Sequence, residues 1–159
     1  MKNPSPAIVW FRRDLRLADN PALDHAVRSH AEVIPVFVWA PDEESPWAPG
    51  GASRWWLHHA LASLDADLSA LGSRLLLLRG PAETVLADLV ARSRATAVHW
   101  NRLYEIVARE RDALTRAAGE RAARITRQGG FPAIDNCLPG SDPAYIGMLD
   151  NSKYRFRKF

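Results

Sequence analysis

The densest charged segment near the amino terminus is Arg12-Arg13-Asp14-Leu15-Arg16-Leu17-Ala18-Asp19-Asn20. It contains no glycine, and a backbone phosphate cradle needs glycine so that N–H groups can approach the ligand. A dinucleotide site or P-loop of the usual kind is therefore disfavoured. Any ligand contact here runs through the side chains of Arg12, Arg13, Asp14 and Arg16. The alternative is structural: the same charges can pin the loop as an internal Arg–Asp network.

Other reactive side chains are poorly spaced for chemistry. His58 and His59 are neighbours, and neighbours on a helix point about 100° apart, whereas zinc-binding helices use i, i+4 pairs. His25 and His30 have no matching carboxylate pattern. No G-x-S-x-G elbow occurs, and Cys137 has no evident base partner. The sequence thus predicts neither a metal centre nor a self-contained catalytic set. A last cluster, Lys153-Tyr154-Arg155-Phe156-Arg157-Lys158-Phe159, alternates cations with rings, a pattern able to grip single-stranded nucleic acid.

The elements that position these residues follow from periodicity. Ala7–Phe11 is an apolar run read as a buried strand. Asn20 followed by Pro21 starts a helix to about Ser29, since Asn accepts orphan N–H bonds and Pro fits the first turn. Val33–Trp39 is a second strand, apolar on both faces as in a central parallel strand. Ser53 is read as the cap of a long helix whose Leu57, Leu61, Leu64, Leu68 and Leu71 form one stripe, ended by Gly72. Arg74–Arg79 is a third strand. A helix opening at Gly80-Pro81 runs through Arg92 and buries Val85, Leu86, Leu89 and Val90. Thr96–Asn101 is a fourth strand, 105–118 a helix, and Arg121–Ile125 a fifth strand. Trp10, Trp39 and Trp100 fall on strands and are expected in the core. Trp55 and Trp56 cannot both point inward from one helix.

This alternation predicts an α/β fold: a Rossmann-like, doubly wound sheet of about five parallel strands with helices on both faces. Ligands in such sheets sit beyond the carboxyl ends of the strands. That directs attention to the loops after Phe11, Trp39 and Asn101. From residue 126 to 159 the sequence turns irregular, with Gly129-Gly130 and Pro132, Pro139 and Pro143.

Two blocks carry a family resemblance. Trp10–Leu23 and Trp100-Asn101-Arg102-Leu103-Tyr104-Glu105, followed by Arg109–Asp112, are similar to signature segments of the DNA photolyase/cryptochrome family. The resemblance covers residues 7–125, which it identifies as the family's N-terminal α/β domain; residues 126–159 do not match. Arg12, Arg13, Asp14, Arg16 and Asn20 form the signature loop. The resemblance implies a site for an antenna chromophore (deazaflavin, folate or flavin) with Val38, Trp39, Arg54 and Glu105 at its pocket. Ala40 and Leu103 stand where deazaflavin binders carry acids. Val107-Ala108 replaces the Asn-Glu pair of folate binders.

The same resemblance implies a parent function of light-driven pyrimidine-dimer repair or blue-light sensing. It places FAD and damaged-DNA binding in a following helical domain, so this chain is expected to be a truncated, non-catalytic form with weak or no DNA binding. Self-association or a partner chain at the exposed interdomain surface follows as an expectation. The alternative reading is a non-catalytic binding or interaction module that uses the basic aromatic tail. With 159 residues, 47% hydrophobic content and a net charge of +3, the chain suits one ordinary domain with no strong bias toward an anionic partner. One cysteine excludes an internal disulfide and suggests the cytoplasm. No signal peptide or membrane span is expected.

Overall fold

The computed structural model describes residues 2–44, 48–103 and 133–136. Strand β1 is Ala7–Phe11, followed by helix α1 at Pro21–Ser29 and β2 at Val33–Trp39. A short 3-10 helix, Pro41–Glu44, leads to α2 at Gly51–Ala70. Then come β3 at Leu76–Arg79, α3 at Ala82–Ser93, β4 at Ala97–Trp100 and β5 at Ala133–Asn136. The five strands form one sheet in the order β3-β2-β1-β4-β5, and every pairing is parallel. Right-handed crossovers over that order put α1 and α2 on one face and α3 on the other. The predicted Rossmann-like topology is the one observed.

Central position favours burial. All residues of β1 and β4 are buried; each has a strand on both sides, and α1 packs against both. Register pairs Ala7 with Val33 and with Ala97, so Trp10 and Trp100 share a face, their rings 6.2 Å apart. Strand β3 is an edge strand, and there Leu77 is exposed between half-buried Leu76 and Leu78. Four consecutive leucines therefore do not make a fully buried strand.

The helix ends show which local signals were sufficient. Asn20 caps α1 as expected, accepting the Leu23 N–H at 3.2 Å with Pro21 in the first turn. Gly72 ends α2 in left-handed conformation (φ 81°), with Gly72 N–H to the Ser69 carbonyl and Ser73 N–H to Leu68. Ser53 is not the cap of α2. The helix starts at Gly51 and its cap, Gly50, makes no side-chain bond. Only Leu64 and Leu68 of the leucine stripe are fully buried; Leu57 and Leu61 are half-buried and Leu71 is exposed past the helix end.

The strand expected at 121–125 and the helix at 105–118 lie outside the described residues. The fifth strand is Ala133–Asn136, inside the segment whose composition reads as irregular. Four residues carry too little periodicity to be recognised, but they satisfy the open edge of β4. Among the described residues, no helix is long and apolar enough to cross a membrane.

Candidate functional site

In a 3-2-1-4-5 sheet the ordinary ligand crevice lies between the carboxyl ends of β1 and β4. Here that crevice is filled by the chain's own polar groups. Asn101, just after β4, donates through Nδ2 to Asp14 Oδ2 and to Asn20 Oδ1 (2.9 Å), and its Oδ1 accepts the Ala22 N–H at 3.1 Å. Asp14 Oδ1 accepts the Arg12 N–H at 2.9 Å. Asn20 Nδ2 reaches the Arg16 carbonyl at 3.1 Å. Arg12 is buried, its guanidinium lies 4.8 Å from the Trp10 ring centre, and it donates to the Asn101 carbonyl. Arg16 is exposed and donates to the Asp19 carbonyl at 3.0 Å, where Asp19 is left-handed (φ 50°). The signature loop is thus an internal lock joining β1, β4 and the start of α1. Asn101 is its hub; the sequence marks this residue as part of the second signature block, directly after a buried strand, but not its partners.

With the switch point closed, the cavity opens to the side, over the ends of β1 and β2. It measures about 430 Å³. Trp10, Phe37, Trp39 and Trp56 give it aromatic walls; Arg12 and Arg13 bring cations, and Glu43 and Glu44 bring acids. Such a lining can stack a planar ring and meet an anionic substituent. Val38 and Trp39, expected at a pocket, do line it, as do Ala40 and Leu103. Trp39 is only half-buried, so of the three strand tryptophans Trp10 and Trp100 are core and Trp39 is cavity wall. Arg54 is exposed on α2 and is not among the lining residues, although its neighbour Ser53 is. Glu105, Val107, Ala108, Cys137 and Trp47 lie outside the described residues, as does the basic aromatic cluster.

Two hydrogen bonds shape the cavity rim. Glu43 Oε1 accepts the Ala82 N–H at 2.7 Å, and the Gly80 N–H donates to the Trp39 carbonyl at 3.1 Å. Gly80 is left-handed (φ 133°), a conformation that favours glycine.

Away from the cavity, His99 on β4 gathers His25 and His30 of the α1 region, with ring centres 5.2 and 5.4 Å from its own. Burial holds His30 below the ordinary histidine pKa. A hydrogen bond between the imidazole and the Ala26 backbone acts the other way, and proximity to His25 lowers it further. Sequence spacing could not reveal this cluster, because His99 comes from a different element. His58 and His59 are exposed, and His59 packs on Trp55 with ring centres 4.4 Å apart.

The sequence matches the DNA photolyase family over residues 7–129. It is 50% identical over 101 residues to a deoxyribodipyrimidine photo-lyase of Agrobacterium fabrum, covering 64% of this chain and 20% of that protein. Against cryptochrome-1 of Arabidopsis thaliana it is 48% identical over 107 residues, covering 67% and 16%. The chain thus spans about a fifth of the length of these relatives. Among solved structures, a class III photolyase from Agrobacterium tumefaciens superposes with a TM-score of 0.66 at 38% identity, covering 86% of this chain and 26% of that one. An archaeal photolyase from Sulfolobus tokodaii, crystallised with two FAD molecules, gives 0.68 at 31% identity, covering 74% and 27%. Sequence and fold agree over the same region, and the chain belongs to the DNA photolyase family, of which it forms the N-terminal α/β domain.

Proposed function

We propose that this chain is a chromophore-holding antenna domain, and that the cavity beside Trp10, Trp39 and Trp56 is where the chromophore sits. The observation that carries this reading is the cavity itself: about 430 Å³, aromatic-walled, with Arg12 and Arg13 on its lining. A flat conjugated ring fits between such walls, and an acidic tail fits the guanidinium side. The bound group would supply absorption of light and transfer of excitation energy. The chain's own residues would stack it, fix its orientation and limit its exposure to water. The Sulfolobus tokodaii photolyase, whose two FAD molecules implicate a novel light-harvesting cofactor, supports a flavin among deazaflavin, folate and flavin. Ala40 and Leu103 give the lining two apolar positions, which disfavours a chromophore that needs carboxylate acceptors there.

Repair of pyrimidine dimers or blue-light sensing is proposed for the parent architecture only, since photolyases and cryptochromes are both among the relatives. Titration with methenyltetrahydrofolate, a hydroxylated deazaflavin and FAD, followed by absorbance and fluorescence, tests the reading. A saturable spectral shift with one of them supports it; no shift with any of them ends it.

A second chain against α2 is also proposed, because Trp55 and Trp56 are 66% and 60% exposed on neighbouring positions. Light scattering that finds a monodisperse monomer at high concentration would remove that part.

A further inference from the structure

The 3-10 helix Pro41–Glu44 contains no buried residue, yet it borders the cavity through Glu43 and Glu44. On the other side stands the first turn of α3, where Ala82 is fully buried and also lines the cavity. A buried amide at a helix start needs an acceptor. The local sequence provides none: the cap position is Pro81, with no side-chain cap bond. The acceptor comes instead from Glu43, 39 residues earlier, at 2.7 Å. An anion at a helix N-terminus is also favoured by the helix dipole. One carboxylate therefore completes α3 and tethers the rim.

We propose that Glu43 is the positioning residue of the cavity, a remote cap that holds the rim against α3 so that the ligand's place is formed before a ligand arrives. This rests on the reading of the cavity as a chromophore site. The bond from Gly80 N–H to the Trp39 carbonyl secures the same seam at backbone level, so loss of Glu43 loosens the rim without dissolving the fold. Coupling runs both ways: a ligand that braces the rim protects the Ala82 amide, and a firm Ala82–Glu43 bond tightens binding.

The test compares the full chain with E43A, E43Q and D65A. Asp65 makes a bond of the same type outside the cavity, its Oδ1 accepting the Leu75 N–H at 2.8 Å. Two quantities are read: hydrogen exchange at the Ala82 amide, and the Kd of each of the three chromophore probes. E43A is expected to speed Ala82 exchange about tenfold and to raise Kd about tenfold, the scale of one lost bond to a charged acceptor. E43Q keeps an acceptor and recovers most of both. D65A lowers the unfolding midpoint but leaves Kd unchanged. An E43A Kd equal to wild type, or a D65A Kd raised as much as that of E43A, overturns the proposal. If the wild-type chain binds none of the probes, the chromophore reading fails, and Glu43 is then judged by exchange alone. Unchanged Ala82 exchange in E43A overturns its role, while faster exchange restored in E43Q supports the cap.

Discussion

Replacing Asn101 by alanine removes the hub of the lock at the end of β4. Three interactions go: those to Asp14 Oδ2 and Asn20 Oδ1, and the one from the Ala22 N–H. A bond to a charged acceptor contributes about 1.5–3 kcal/mol and a neutral one about 0.5–1.5 kcal/mol, while an orphaned amide costs about 1–3 kcal/mol. These do not simply add, and Asn101 is half-buried, so water replaces part of the loss. A net destabilisation of about 2–3 kcal/mol is expected. For a domain of this size that lowers Tm by roughly 8–12 °C. Urea unfolding followed by tryptophan fluorescence suits the measurement, since Trp10 and Trp100 are buried side by side beneath the lock. Asn101→Asp should be at least as damaging near neutral pH, because it sets a second carboxylate against Asp14. A loss below about 0.5 kcal/mol for Asn101→Ala, the scale of an ordinary surface change, would refute the claim that this amide joins the two halves of the sheet.

Leu68→Ala, at a fully buried site of α2, should cost about 2–5 kcal/mol in the same unfolding assay. Gly80→Ala meets both a left-handed φ and a Val85 Cγ2 atom 3.1 Å from the new Cβ, so a loss of about 1–3 kcal/mol is expected, with weaker binding of whichever probe the cavity accepts. Arg94 ends α3 in left-handed conformation (φ 56°), and Arg94→Gly should raise stability by up to about 1 kcal/mol in a thermal melt. His30 has a folded pKa below the unfolded value of 6.5, so the unfolded chain takes up the proton more readily; stability should be full above about pH 6.5 and fall as pH drops below it, and His30→Gln should flatten that slope in melts recorded from pH 7.5 to 5.5.

Signals that act within one turn of chain were readable before the structure. Asn20-Pro21 set the start of α1, and Gly72 set the end of α2, because each satisfies or releases backbone groups a few residues away. Long apolar runs also marked β1 and β2. Features made by two distant segments were not readable. The cap of α3 comes from Glu43, and the loop after β1 is organised by Asn101; neither partner is near in sequence. The cavity lies to one side of that second contact, so the general rule for such sheets pointed to the right end of the strands but could not foresee that the central crevice is plugged. Of the residues the resemblance assigned to an antenna pocket, Val38 and Trp39 line the cavity and Arg54 is exposed on α2 outside the lining.

The lock also bears on how the chain acquires its shape. Asp14 and Asn101 are 87 residues apart, and the contact forms only once β4 has paired with β1. By then β1 and β2, joined by the short α1 connection, have had ample opportunity to meet, since closing a shorter loop loses less entropy. The amide of Asn101 would thus arrive late, sealing a sheet already begun. Its removal should leave the refolding rate nearly unchanged and express itself as faster unfolding. The cluster would then govern the lifetime of the native domain rather than the speed of its formation.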